Sequence, residues 1–305
     1  MTIMAPKIIF STFAYNYLKN EVLELGKYEE GSIQSKSFPD GEIYHKIDTE
    51  VQGRDIILIG GTIDESNTME LYDFAQGIAH QGANSLKIII PYFGYSTMER
   101  AVKPGEIVKA KNRALLFSSI PMCAEANQVF LMDLHSEGIP YYFDRDIRCT
   151  HLYCKQIILD TCQKLYGNDF ILAATDAGRA KWVESLAFEM GVKSAFVYKE
   201  RKSGSETHIT GINADVKNRK VIIYDDMIRT GGSLMQAAQI YRDAGAIEII
   251  ALTTHGLFSN QALEKIAAQG IISKVYATNS HPNSNNQQPN LLEINSIASI
   301  IYQVI

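Results

Sequence analysis

Val221-Ile222-Ile223-Tyr224-Asp225-Asp226-Met227-Ile228-Arg229-Thr230-Gly231-Gly232-Ser233 is the stretch from which the fold can be read. A short apolar run ends in two acids, a turn rich in glycine and hydroxyls follows, and Leu234 onward reads as a helix. Strand, loop and helix start, in that order, present unpaired backbone N–H groups and the positive end of a helix dipole. Glycines let the backbone close around an oxyanion. The Thr230 and Ser233 hydroxyls can donate as well, and the acids can hold sugar hydroxyls or a cation. A phosphorylated sugar satisfies all of these parts, although an ordinary β–α connection has the same outline. The GxxxxGK[ST] spacing of a P-loop is absent.

Outward from this stretch, strands and helices alternate. Strands are expected over 8–10, 44–48, 55–59, 85–90 and 128–132, with helices over 14–25, 70–81 and 111–119 and a turn over 35–42. A second series starts near Thr150: a helix over 152–166, a strand over 170–174, a helix over 180–190 and a strand over 194–198. Strands over 221–224, 248–252 and 274–277 continue it. The charged, Gly/Ser-containing segment 199–210 reads as a mobile loop, and the Asn/Pro/Gln-rich segment 279–290 as a surface loop. This rhythm predicts an α/β chain of two domains, each with a mainly parallel sheet flanked by helices. The expected boundaries are 1–149, 150–290 and a tail over 291–305 that packs back on the first domain. Ligands are expected at the carboxyl ends of the strands.

The 305 residues are 46% apolar and 21% charged, with a formal net charge of −5. That is enough for two sizeable cores, and the charge points to no nucleic-acid or acidic-membrane partner. Cys123, Cys149, Cys154 and Cys162 show no CxxC spacing, which fits a reducing compartment. With no long apolar stretch and no signal-peptide pattern, the expected location is cytoplasmic.

Further candidates lie at strand ends. Asp176 precedes Ala177-Gly178-Arg179-Ala180-Lys181, where a polyphosphate and its metal could sit if this loop neighbours Asp225 and Asp226. The plainer reading of Arg179 and Lys181 is a solvated first helical turn. Lys199 and Arg201 flank Glu200 and suit a transferring phosphoryl group, or else form a solvated hairpin. His135, after Asp133-Leu134, could bind metal or phosphate, or be a satisfied polar residue.

Several of these segments together resemble the ribose-phosphate pyrophosphokinase family. They are Phe38-Pro39-Asp40-Gly41-Glu42, Pro91-Tyr92-Phe93-Gly94-Tyr95, Pro104-Gly105-Glu106, Asp133-Leu134-His135, Lys199-Glu200-Arg201 and the opening stretch from Asp225 to Ser233. The resemblance implies two phosphoribosyltransferase-like domains, Mg²⁺, and ATP as co-substrate. The implied reaction moves the diphosphoryl group of ATP to the 1-hydroxyl of ribose 5-phosphate and releases AMP. It also implies homodimers or homohexamers whose sites borrow from a neighbouring subunit. Phe38, Asp40, Glu42 and Arg100 would then serve ATP, and His135 and Asp176 the metal and the ATP phosphates. Asp176, Ala177, Gly178 and Arg179 would form the diphosphate loop. Lys199 and Arg201 would close over the transferring group. Asp225, Asp226, Arg229, Thr230, Gly231, Gly232 and Ser233 would bind the phosphosugar.

The chain departs from the pattern of the family it resembles at four places, one of them Glu137-Gly138-Ile139-Pro140 after Asp133-Leu134-His135, where the family has a Gln-containing run. Thr97 replaces an arginine of the nucleotide side, leaving Arg100 as the nearby cation. The usual Ser-Pro-Asp-x-Gly-Gly reads Ala174-Thr175-Asp176-Ala177-Gly178-Arg179, and Arg229 stands where many members have Asp. A cation at the phosphate turn suggests an acceptor carrying more negative charge than ribose 5-phosphate, such as ADP-ribose, which would link the chain to NAD metabolism. A catalytically weak regulatory subunit is a further reading.

Overall fold

The computed structural model describes residues 5–144, 146–202, 206–286 and 290–305. The chain forms two compact units, Met1–Tyr153 with Ala298–Ile305, and Cys154–Ile297.

In the first unit, β1 (Ile8–Ser11), α1 (Asn16–Leu23) and β2 (Glu29–Glu30) precede a separate antiparallel hairpin of β3 (Ile33–Ser37) and β4 (Ile43–Ile47). There follow β5 (Asp55–Ile59), α2 (Glu65–His80), β6 (Ser85–Ile90), α3 (Lys109–Ser118), β7 (Ala126–Met132) and β8 (Arg148–Leu152). Six strands pair in the order β2-β1-β5-β6-β7-β8, every pair parallel. The central strands are continuous apolar runs because both faces are covered; Ile56 to Ile59 are at most 1% exposed. α2 lays Leu71, Phe74, Ala75 and Ile78 on one face. It begins earlier than its apolar stripe because Asp64 caps it, accepting from Asn67 N at 2.8 Å.

The second unit holds α4 (Lys155–Tyr166), β9 (Ile171–Ala174), α5 (Ala180–Met190), β10 (Lys193–Lys202), β11 (Glu206–Ile212) and β12 (Lys220–Ile228). These lead to α6 (Gly232–Asp243), β13 (Glu248–Gly256), α7 (Ala262–Gln269), β14 (Lys274–Thr278) and β15 (Leu292–Asn295). The sheet order is β11-β10-β9-β12-β13-β14-β15, parallel except for the β10–β11 pair. Ile171 and Ala173 pack with Leu234, Ala237 and Ile266 from α6 and α7. The alternate residues Leu172 and Ala174 pack with Ile158, Val183 and Leu186 from α4 and α5. The period-2 alternation of a strand thus feeds two apolar layers.

Several expectations need correction. Ser35 to Ser37 are strand rather than turn, paired with β4. Residues 148–152 form β8 on the first sheet, so the first unit runs past the expected 149 and α4 starts only at Lys155. The tail divides: β15 extends the second sheet, and only α8 (Ala298–Val304) with its flank groups with the first unit. There Lys87 Nζ donates to Val304 O at 2.7 Å and Ile301 is fully buried. Within the segment expected as a loop over 199–210, residues 199–202 and 206–210 form a strand pair, with Lys199 opposite Ile209 and Arg201 opposite Thr207, while residues 203–205 lie outside the described residues. Ladder hydrogen bonds join backbones, so a charged edge segment can pair without apolar alternation.

The expected surface loop after β14 is in part interior. Asn279, Ser280, His281 and Ser284 are at most 3% exposed. Side chains of this segment complete the backbone hydrogen bonding at the end of β13: the buried Ser284 Oγ donates to Gly256 O at 3.2 Å, and the more exposed Asn283 donates through Nδ2 to Leu257 O at 2.9 Å. Polar residues enter a core when such partners wait for them. Residues 287–289 lie outside the described residues.

Burial, helped by the neighbouring His255, pushes the His281 imidazole down to about 4 from its ordinary 6.5. Its Nδ1 accepts from Asn283 N at 3.2 Å, a bond that protonation there removes. A folded-state value below the unfolded one gives stability that is present in full above pH 6.5 and is lost as pH falls toward 4. The contribution is on the order of 3 kcal/mol. His281→Asn, which keeps an acceptor and cannot titrate, is expected to flatten the fall in urea midpoint between pH 7 and pH 5 relative to the unaltered chain. An equal fall in both proteins contradicts this.

Candidate functional site

β9 is flanked by β10, reached through α5, and by β12; β12 leads through α6 to β13 on its far side. The chain therefore leaves β9 and β12 in opposite directions, and a crevice opens between the two loops at their carboxyl ends. Those loops are Thr175 to Arg179 and Arg229 to Gly231.

β12 runs farther than its apolar core suggests, through both acids to Ile228, with Asp225 in register with Thr253 and Met227 with His255. The acids are thus held by the sheet, not by the turn. Thr175 Oγ1 donates to Asp225 Oδ2 at 3.0 Å, and Asp226 N to Asp225 Oδ1 at 3.0 Å. Arg179 forks onto the other acid, Nε to Asp226 Oδ1 at 3.1 Å and NH2 to Asp226 Oδ2 at 2.5 Å, with side chains 19% and 5% exposed. Burial and the adjacent Asp226 carboxylate push the Asp225 carboxyl well above the usual carboxylate range, against the opposing pull of Thr175 and Arg179. With both carboxyls ionised, two negative charges would share the one Arg179 guanidinium, a shortage of positive charge.

That shortage is the test of whether a hard cation suits the place. The buried Asp226 carboxylate and the half-buried Asp225 carboxylate offer oxygen donors of the kind Mg²⁺ takes. Thr253 Oγ1, in register with Asp225, is buried with no hydrogen-bond partner. The donor set fits a magnesium ion or its water shell. Among the described residues no group of three or more acidic, histidine or cysteine side chains gathers as a ready-made metal cage, so a ligand would have to supply part of the coordination.

The turn after β12 is fixed by the chain opposite it. Leu257 N and Phe258 N both donate to Ile228 O at 3.0 Å, and Ser259 N donates to Arg229 O at 2.8 Å. Gly231 has φ +76°, and a Cβ there would stand 3.2 Å from Ile266 Cδ1. α6 begins at Gly232, and Arg229, Thr230 and Ser233 are exposed around its N-terminus. A helix start, two exposed hydroxyls and an exposed arginine thus share one turn, a set of groups that suits an anion.

Asp176 accepts from Gly178 N at 2.9 Å, which folds its loop, and Ala177 and Gly178 are exposed. Lys199 and Arg201 lie on β10, and their side chains lie outside the described residues. In the first unit, Phe38, Asp40 and Glu42 meet at the tip of the β3–β4 hairpin, closed by Phe38 N to Glu42 O at 2.8 Å, and all are exposed. Arg100 is an exposed neighbour of Glu99 at 3.5 Å. His135 is exposed after β7, where Asp133 takes φ +36°.

Sequence reading missed Thr175, Thr253 and His151. Thr175 and Thr253 matter through strand neighbours, which no local signal gives. His151 holds the loop before His135, its Nε2 accepting from Leu134 N at 2.9 Å.

Residues 7–120 match the family described as the N-terminal domain of ribose phosphate pyrophosphokinase, and residues 170–304 the phosphoribosyl synthetase-associated domain. The chain is 32% identical to a ribose-phosphate pyrophosphokinase of Thermotoga maritima over 302 residues, 97% of this chain and 93% of the relative. It is 32% identical to that of Campylobacter jejuni over 272 residues, 88% and 85% of the two chains. The crystal structure of phosphoribosylpyrophosphate synthetase from Mycobacterium smegmatis superposes with a TM-score of 0.86 at 25% identity, covering 98% of this chain and 97% of that one. The chain belongs to the ribose-phosphate pyrophosphokinase family, as a divergent member, and has its two-domain α/β architecture.

The Gly231 geometry sets a measurable expectation. Gly231→Ala should lower the unfolding free energy by about 1–2 kcal/mol, from the left-handed backbone and the crowded Cβ. Ile266→Val removes the crowding atom, Cδ1. Urea denaturation of both single variants and the double variant should therefore give a favourable coupling of about 0.5 kcal/mol or more. Strict additivity would leave backbone conformation as the whole effect.

Proposed function

We propose that the chain catalyses Mg²⁺-dependent transfer of the diphosphoryl group of ATP to the 1-hydroxyl of ribose 5-phosphate, releasing AMP. The observation that carries this reading is the pairing of Asp225 and Asp226 with a hydroxyl- and glycine-lined helix start at one strand end. Thr230, Gly231, Gly232 and Ser233 take the 5-phosphate, and Asp225 and Asp226 face the ribose hydroxyls and the metal. The Asp176 to Arg179 loop receives the diphosphate, Asp176 takes a metal role there, and His135 of the first unit is assigned to metal or ATP phosphate. Phe38, Asp40, Glu42 and Arg100 serve the nucleotide, in a homo-oligomer whose subunits share sites. The four cysteines are free thiols, and a cytoplasmic setting is part of this proposal.

Magnesium, when bound, supplies charge neutralisation on the polyphosphate. The protein's share is alignment: the 1-hydroxyl oxygen is placed opposite the AMP oxygen at the β-phosphorus, so one P–O bond forms as the other breaks and the hydroxyl proton is released. Lys199 and Arg201 strengthen their hold as charge redistributes over the transferring oxygens. No covalent intermediate is needed.

A second reading keeps this chemistry and changes the acceptor to ADP-ribose. Arg229 favours it: an exposed cation on a turn whose backbone Ser259 fixes, next to the 5-phosphate cradle. Purified chain, ATP and Mg²⁺ with either acceptor, read by mass spectrometry of AMP and the 1-diphosphate product, separates the two. Under the first reading ribose 5-phosphate turns over at least as well as ADP-ribose. Under the second, ADP-ribose is preferred and Arg229→Asp lowers kcat/KM for it alone. ATP binding without AMP release for either acceptor points instead to a regulatory subunit. Lys199→Ala or Arg201→Ala should each lower kcat by roughly 10²–10³, about 2–4 kcal/mol.

A further inference from the structure

The guanidinium of Arg179 belongs to the loop that would receive a diphosphate, yet it is spent on Asp226. Both Asp226 oxygens are engaged by the Arg179 fork, at 3.1 and 2.5 Å, and the acid is 5% exposed. Asp225, one residue away, is bonded by Thr175 Oγ1 and by the Asp226 backbone. A cation approaching these two acids therefore meets one that already has a counter-charge. An anion approaching Gly178 and the start of α5 meets a guanidinium that is already committed. Charge-assisted, two-pronged pairs of this kind are among the strongest polar contacts and cost most to break when shielded from water.

We propose that Arg179 is a positioning residue that couples cation binding to diphosphate binding, by acting as the internal counter-ion of Asp226. A divalent cation alone must displace the guanidinium and leave it without an anion. A diphosphate alone must draw the guanidinium away and leave Asp226 uncompensated in a buried place. Together they exchange the pair: the cation takes Asp226, and the guanidinium takes the diphosphate oxygens. By reciprocity each ligand then raises the other's affinity by the same factor. The chain thereby discriminates against the bare metal ion and against metal-free diphosphate, and admits their complex. Glycine or any uncharged residue at this position could not impose that requirement.

This inference rests on reading the crevice between β9 and β12 as the diphosphate and phosphosugar site, but its test needs neither nucleotide nor sugar. Binding of Mn²⁺ to the full-length chain is measured by electron paramagnetic resonance of the free ion, with and without inorganic diphosphate, correcting for the complex the two form in solution. The variants are Arg179→Ala and Arg179→Gln; the second keeps hydrogen-bond donors beside Asp226 while removing the charge. In the unaltered chain Mn²⁺ alone should bind weakly, with affinity rising on addition of diphosphate. In both variants Mn²⁺ alone should bind roughly ten- to a hundredfold more tightly, and the gain from diphosphate should shrink by a similar factor. Arg179→Lys, a point charge without the fork, should fall between. A variant that folds only when Mn²⁺ is added supports the exchange directly. Metal affinity and diphosphate gain unchanged in Arg179→Gln overturn it, as does failure of both variants to fold even with Mn²⁺. If diphosphoryl transfer proceeds while Arg179→Gln binds metal like the unaltered chain, only this inference fails. If no acceptor is used but Mn²⁺ binding tightens, only the assigned reaction fails.

Discussion

Two carboxylates that are neighbours in sequence cannot both stay ionised and buried without nearby positive charge. This constraint at Asp225 and Asp226 organises the second unit. The acids stay on the sheet because β12 continues through them to pair with β13. Their partners, Thr175 and Arg179, come from a single loop because β9 is the next strand. A different strand order would leave the acids without those partners. The layered core is what holds the order: α6 and α7 cover one face, α4 and α5 the other. Burial and the Asp226 carboxylate hold the Asp225 carboxyl above its usual range, a penalty on its ionised form that a nearby cation would relieve.

The first unit shows by contrast what a filled crevice looks like. Its chain also leaves two neighbouring strands in opposite directions, β1 toward β2 and β5 toward β6. There the loops are closed by packing. Tyr15 is fully buried, and its hydroxyl would lie 2.3 Å from a Cβ on Gly61. A bulky aromatic occupies the position where the second unit keeps acids, hydroxyls and a cation. Equivalent topology thus yields a packed loop junction in one unit and a polar, ligand-ready one in the other. Function follows the residues at the strand ends, and the fold supplies only the place.

Strand identity was the most legible feature of the sequence. Asp55–Ile59 and Ser85–Ile90 lie where their apolar runs place them, since burial on both faces leaves no ambiguity of period. Elements whose signal is polar were harder. β10–β11 is held by backbone pairing that charged side chains do not advertise, and the Asn/Ser/His segment after β14 is buried through hydrogen bonds that composition cannot reveal. α7, which begins after three left-handed residues at Phe258, Asn260 and Gln261, had no start signal of the usual kind. For the site, Asp176, Asp225 and Asp226 were visible as acids at strand ends. Their pairing was not visible, because Thr175 and Arg179 reach them across strands some fifty positions apart. Arg179 read as a charge of the diphosphate loop or as a solvated first-turn residue, and neither reading foresaw its pairing with a nearly buried acid.

The departures from the family pattern gain physical meaning from this pairing. An arginine for glycine at 179 adds one positive unit, and an arginine for aspartate at 229 adds two, so the crevice is three units more positive than the common pattern. The acids themselves are kept. Added cations around retained acids do not abolish a metal–polyphosphate site; they change what must arrive together. Arg179 meets its charge internally, so it alters the order and cooperativity of binding more than the final charge seen by a ligand. Arg229 lies exposed on a turn that the Phe258 and Ser259 backbone holds still. Under the second reading proposed above, an acceptor whose negative charge continues through a second phosphate would gain from this cation and one ending at a single phosphate would not. On those proposals the two substitutions separate two questions: the inner arginine would bear on how a diphosphate is admitted, and the outer one on the length of the acceptor.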